Sequence, residues 1–152
     1  MNRFAAAPLI LIVLGLAACG GGDDAPSKAD YAADAERICK DAEKELQGLG
    51  EGSSADEVAA AIDKAIEKTR SSVDELKELK RPDGATGEQA EEFVNAIESE
   101  IDKGVPALRD LGQAVKDNDQ KAAQDAYRRL QEIEDTDTDK LARELGITGC
   151  AN

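Results

Sequence analysis

An all-α fold is the expectation: an up-down-up-down four-helix bundle with a kinked third helix, closed by a disulfide between Cys39 and Cys150. Two observations carry the helical part. From Ala29 onward apolar residues recur at spacings of three and four and never at two, the period of a helix with one buried face. Glycine, proline and acidic turn residues then cut the region into four stretches, each long enough to present a stripe to a shared core through short connections.

The first stretch runs from Ala29 to Leu49, with Tyr31, Ala35, Ile38, Cys39, Ala42, Leu46 and Leu49 on one stripe, and Gly48, Gly50 and Gly52 mark its end. The second opens on Ser54 and Glu57 in capping-box spacing, where the hydroxyl accepts an orphan backbone N–H and the carboxylate reaches back to the cap residue. Its stripe is Val58, Ile62, Ala65, Ile66, Thr69, Val73, Leu76 and Leu79. Lys80-Arg81-Pro82-Asp83-Gly84 stops it, because proline cannot continue the hydrogen-bond ladder and basic groups favour the negative end of the dipole.

A second capping box, Thr86 with Gln89, predicts the start of the third helix, whose inward set is Ala90, Phe93, Val94, Ile97, Ile101, Val105, Leu108, Leu111 and Val115. Gly104 and Pro106 fall inside this stripe without shifting its phase, which predicts a kink near Gly104. Asp117-Asn118-Asp119 turns the chain into the fourth stretch, Gln120 to Leu145, with Ala123, Ala126, Tyr127, Leu130, Ile133, Leu141 and Leu145 inward. Around Asp135 to Asp139 the stripe lapses, so a bend or fraying is expected there. Gly146 reads as a left-handed cap, with Ile147 packing back on Leu141 and Ala142. The alanine-rich interior predicts close helix approach, toward the lower end of roughly 8–10 Å, with little room for a cavity.

Composition removes whole classes of function. The 152 residues include no His and no Trp, and the single Met is the first residue. Ser-His and Cys-His nucleophile pairs, His metal ligands and the Glu-x-x-His motif of di-iron bundles are thereby excluded, and haem loses its usual ligands. A net charge of -14 opposes a nucleic-acid partner, because phosphate binding requires clustered Lys and Arg. No cofactor is expected.

Met1-Asn2-Arg3 is a short positive start, Phe4 to Leu16 an apolar run, and Leu16-Ala17-Ala18-Cys19 a cleavage site of small residues. Phe4 to Ala18 is shorter than the roughly 20 residues a membrane-spanning helix needs. The segment resembles the signal peptide and lipobox of bacterial lipoproteins. The resemblance implies that residues 1–18 are removed, that Cys19 is the lipidated mature N-terminus, and that lipid holds the chain on the extracytoplasmic face of the cell membrane. Residues 19–28, with Gly20-Gly21-Gly22, Asp23, Asp24 and Pro26, then form a flexible tether, and residues 29–152 the helical domain.

With Cys19 assigned to lipid by that resemblance, Cys39 and Cys150 are an even pair outside the reducing cytoplasm and are expected to be joined. Bundle topology agrees. A fourth helix that ends beside the start of the first lets Ile147 to Cys150 run back by roughly 13 Å, toward a Cys39 that lies about 15 Å along the first helix. The ending Leu145-Gly146-Ile147-Thr148-Gly149-Cys150, together with Ile38-Cys39, resembles small all-helical envelope lipoproteins of actinobacterial type, a likeness that transfers no residue role.

Asp135-Thr136-Asp137-Thr138-Asp139 has the alternate-acid opening of a calcium loop, which makes Asp135, Asp137 and Asp139 a calcium candidate. Lys140 stands where that loop has its glycine, and Gly146 where it has its bidentate Glu. Acid pairs such as Glu91-Glu92 and Glu98 with Glu100 fall off the apolar stripes and read as solvated surface, alongside the helical pairs Glu36–Lys40 and Asp139–Arg143. The expected function is a non-enzymatic, lipid-anchored module that binds or scaffolds an envelope protein. The alternative is a carrier or sensor of a small cationic ligand or metal ion.

Overall fold

In the computed structural model, residues 24–47, 54–133 and 136–150 are described, and every regular element among them is helical. Five α-helices follow in order: α1 Lys28–Gln47, α2 Ala55–Glu78, α3 Ala85–Lys116, α4 Gln120–Gln131 and α5 Thr136–Leu145, with a 3-10 turn, η1, over Thr148–Cys150. Leu49, the glycines at 48, 50 and 52, and the whole N-terminal segment through Asp23 lie outside the described residues.

The first helix starts earlier than the apolar spacing predicts. Ser27 and Asp30 cap it reciprocally: the Asp30 N–H donates to Ser27 Oγ at 3.2 Å, and the Ser27 N–H donates to Asp30 Oδ2 at 3.3 Å. Lys28 is thus helical, and the stretch just before it already lies on the domain: Lys80 Nζ donates to the Asp24 carbonyl at 2.8 Å, and Ala25 and Pro26 are half-buried. The Ser54–Glu57 capping box of α2 forms as predicted, with the Ser54 N–H on Glu57 Oε2 at 3.0 Å.

Thr86 does not cap α3. The cap stands two residues earlier, at Gly84, whose positive φ of 65° lets the chain double back so that its carbonyl accepts the Gly87 N–H at 2.9 Å. At the other end Asn118 adopts φ 54°, and the N–H groups of Asn118 and Asp119 close on the carbonyls of Val115 and Ala114 in a Schellman arrangement. Asp119 then caps α4 by accepting from the N–H groups of Lys121 and Ala122. Pro106 sits within an unbroken α3 on its exposed side.

The fourth predicted stretch is two helices. Counting about 100° per residue, Thr138 lies about 120° around a continuous helix from Ala126. Both are buried, and α4 ends at Gln131 before α5 starts at Thr136. Gly146, at φ 87°, ends α5 as predicted: its N–H reaches the Arg143 carbonyl and the Ile147 N–H reaches that of Ala142.

The main core gathers Tyr31, Ala35 and Ile38 of α1, Leu76 of α2, Ala90, Phe93 and Val94 of α3, Ala142 and Leu145 of α5, and Ile147. Packing runs α1 on α2, α2 on α3, and α3 on both α4 and α5, which makes α3 the central helix. Tyr127, expected inward, is 57 % exposed. Helix α4 leans chiefly on α3 and meets it through the small Ala126, which leaves the neighbouring tyrosine on the outer side. No helix among the described residues is long and apolar enough to cross a membrane.

Candidate functional site

Where α4 gives way to α5 the helices part around a cleft of 1170 Å³. The alanine-rich stripes predict no such space. The cleft is lined mainly by α1, α2 and α3, with Leu130 of α4, Ile133, and Thr138 and Asp139 of α5 at its border. Its α1 wall is the C-terminal half of that helix.

Its walls are mostly aliphatic. Leu46 of α1, Ile97 and Ile101 of α3, Leu130 of α4 and Ile133 line it and are half-buried, while Val73 and Leu76 of α2 are fully buried beneath. Glu43, Glu100 and Asp139 supply carboxylates, Asp139 with Arg143 beside it, and no Lys or Arg is among the described lining residues. Glu100 departs from the solvated role that its sequence position predicts: its Oε1 is shielded from water. By contrast, Glu91 and Glu92 are exposed, and Glu98 pairs with Lys77 of α2.

Thr138 also lines the cleft. It is 4 % exposed, and its Oγ1 has no hydrogen-bond partner among the described residues. A hydroxyl removed from water without a partner costs on the order of 1–3 kcal/mol, so it marks a place where polarity is retained against stability.

The disulfide forms one end of the cleft. Cys39 and Cys150 are joined with their Cα atoms 5.3 Å apart, as expected, and both line the opening. Glu36 fixes the same end: its carboxylate accepts the Gly149 N–H at 2.6 Å and the Thr148 hydroxyl at 3.2 Å, with Lys40 Nζ at 2.9 Å. The Gly149 N–H, then Lys40, hold the Glu36 carboxyl below its ordinary pKa. Lys28 Nζ, donating to the Glu144 carbonyl, ties the start of α1 to the end of α5.

Of the other residues singled out from sequence, Cys19 and Asp135 lie outside the described residues. Asp137 and Asp139 fall in the first turn of α5, where side chains two apart diverge, and Asp139 stands 3.9 Å from Arg143. Among the described residues, no group of three His, Cys, Asp or Glu side chains is placed to hold a metal ion. Glu100 and Thr138 were not distinguishable as site residues by stripe position. The available signals were that Glu100 follows Ile97 by three, and that Thr138 sits where the fourth stripe lapses.

Comparison with family models, with curated proteins and with solved structures yields no match.

Proposed function

We propose that this chain is a lipid-anchored helical module on the extracytoplasmic face of the cell membrane, one that binds or scaffolds an envelope protein and performs no catalysis. The observation that carries the reading is the Cys39–Cys150 bond, because such a bond persists in oxidising compartments and leaves Cys19 as the one cysteine without a partner in the chain. Cys19 closes a lipobox, which supplies both the export route and the anchor. The early capping of α1 at Ser27 and the Lys80–Asp24 contact support a short tether that keeps the domain near the membrane.

An up-down-up-down course is part of the same proposal, with α4 and α5 together as the fourth rod and a kink near Gly104. In support, Lys28 meets Glu144 and Lys80 meets Asp24, so the starts and ends of alternate helices gather at one end. Pro106 lacks the N–H that the Asp102 carbonyl would accept.

Metabolic labelling with a palmitate analogue tests the anchor: label and membrane fractionation are expected for the native chain and lost together in Cys19→Ser. Label that survives this substitution overturns the reading. Crosslinking in the intact envelope is expected to trap a protein partner. The interhelical cleft favours a second reading, a carrier of a small cationic ligand, through its carboxylates and the absence of Lys and Arg among its described lining residues.

A further inference from the structure

We propose that the cleft is a helix-docking groove: it takes one amphipathic helix of an envelope protein, aliphatic toward the cleft and basic on its flanks. This rests on the reading of the chain as a module that binds such a protein, and names what that protein presents. On α1 the lining falls on Cys39, Ala42 and Leu46, and on α2 on Thr69, Val73 and Leu76. Both sets repeat at three and four, the single face that one helix presents to another. Ile97 and Ile101, four apart on α3, continue the wall. Along the first half of α1 the same face is covered by α5 and η1, where Tyr31, Ala35 and Ile38 meet Ala142, Leu145 and Ile147 in the main core. The lining begins at Cys39, just past that core, so one α1 stripe passes from the half packed under α5 and η1 to the half that faces the cleft.

The dimensions suit a helix. Cys39 to Gln47 and Thr69 to Leu76 each run about 10–12 Å at 1.5 Å per residue, close to two turns. Two turns of a helix of about 10 Å diameter occupy roughly 850 Å³, within the 1170 Å³ of the cleft. Other modes of peptide capture lack their means among the described residues. Every regular element there is helical, so no strand edge is offered, and no aromatic residue lines the cleft to grip a polyproline segment. Half-buried Leu46, Ile97, Ile101 and Leu130 complete their burial under the aliphatic stripe of the incoming helix. Charge sets its flanks. Glu43 is exposed at the edge of the cleft, where it accepts from Gln47 Nε2, and the whole chain carries a net charge of -14. Lysine on the flanks is therefore favoured over glutamate, in association rate as well as in affinity.

The probe is a synthetic peptide of about sixteen residues, acetylated and amidated, with leucine at the a and d positions of a heptad and lysine and alanine elsewhere. One control has the same composition with its leucines spread around the helix, and the other has glutamate in place of lysine. Methyl NMR of the full chain in phosphatidylcholine nanodiscs is expected to show saturable shifts at Leu46, Ile97, Ile101 and Leu130 with the probe. Both controls are expected to bind about tenfold more weakly or worse. Glu43→Lys, at an exposed position, is expected to weaken the probe several-fold, and Leu46→Glu about tenfold, with amide spectra unchanged away from the cleft. Equal binding of the probe and the rearranged peptide overturns the helix, and shifts confined to other surfaces overturn the site. Cleft shifts on concentrating the chain alone assign the groove to a second copy, and cleft shifts with dodecyl maltoside below the peptide concentration assign it to a lipid chain; either overturns the proposal. If the peptide leaves the cleft silent while crosslinking in the envelope still traps a protein, this inference falls and the scaffold reading stands. If no protein is trapped either, both fall.

Discussion

The Glu36 carboxylate accepts the Gly149 backbone N–H at 2.6 Å, joining two residues 113 positions apart. Their contact lies beside the Cys39–Cys150 bond, so the last turn of the described chain is held to α1 both covalently and by a charge-assisted hydrogen bond. Its pH dependence has a definite sign. The folded pKa of Glu36 is lowered, so this contribution is fully present above the ordinary carboxylate value and is lost as pH falls through that value toward the folded one. Melting followed from about pH 7 to about pH 3 should show an acid limb that is shallower in Glu36→Gln, with lower stability than the native chain at neutral pH. An identical acid limb in the variant would contradict this.

Replacing both Cys39 and Cys150 with Ala should cost about 2–5 kcal/mol in chemical denaturation, since the bond closes a loop of 111 residues in the unfolded chain. It should also change the effect of Glu36→Gln. The two links hold the same η1 turn, so their losses are expected to couple rather than add. A double-mutant cycle with strictly additive losses would show that η1 is held independently by each.

Two buried glycines of α3 should respond oppositely to alanine. A Cβ at Gly112 would meet Ile62 Cδ1 at 3.7 Å and the Ala59 Cα at 3.9 Å, ordinary contact distances, so Gly112→Ala should stabilise by about 0.5–1 kcal/mol through lower unfolded-chain entropy. At Gly87 the same atom would collide with the Pro82 carbonyl oxygen, which is backbone and cannot swing aside. Gly87→Ala should therefore lower the melting temperature, and thermal scans of the two variants decide the point.

Thr138→Val should raise the stability of the ligand-free chain, by about 1 kcal/mol, because a methyl of similar size replaces a buried hydroxyl that has no hydrogen-bond partner among the described residues. Urea unfolding of the variant checks it. A loss comparable to a deleted hydrogen bond would mean the hydroxyl is satisfied in solution.

Helix periodicity was legible because it is local. Tyr31, Ala35 and Ile38 were marked as core by spacing alone, and the Ser54–Glu57 box and the Gly146 cap by residue type at the right offset. The cap at Ser27 carried the same kind of signal, Ser followed three residues later by Asp, but it was hidden in a stretch rich in glycine and charge. Stripe reading failed where a helix has more than one neighbour. Central α3 meets α2, α4 and α5, so Ala107 and Ala114 are buried off the single stripe that the spacing marks. Tyr127 failed for the opposite reason, since α4 packs chiefly on one helix and the tyrosine lies away from that face.

By itself the sequence determined the helical class and most element boundaries. Each follows from residue type or from spacings of a few positions, whereas the expectation that Cys39 pairs with Cys150 also drew on the lipoprotein resemblance and on the expected bundle course. Only the tertiary structure decided that the fourth stretch divides, that a cleft opens at the division, and that Glu100 and Thr138 belong to it. The physical reason is that a cleft is a relation among surfaces. Its existence depends on where α4 and α5 lie relative to α1, α2 and α3, and no local spacing encodes that placement.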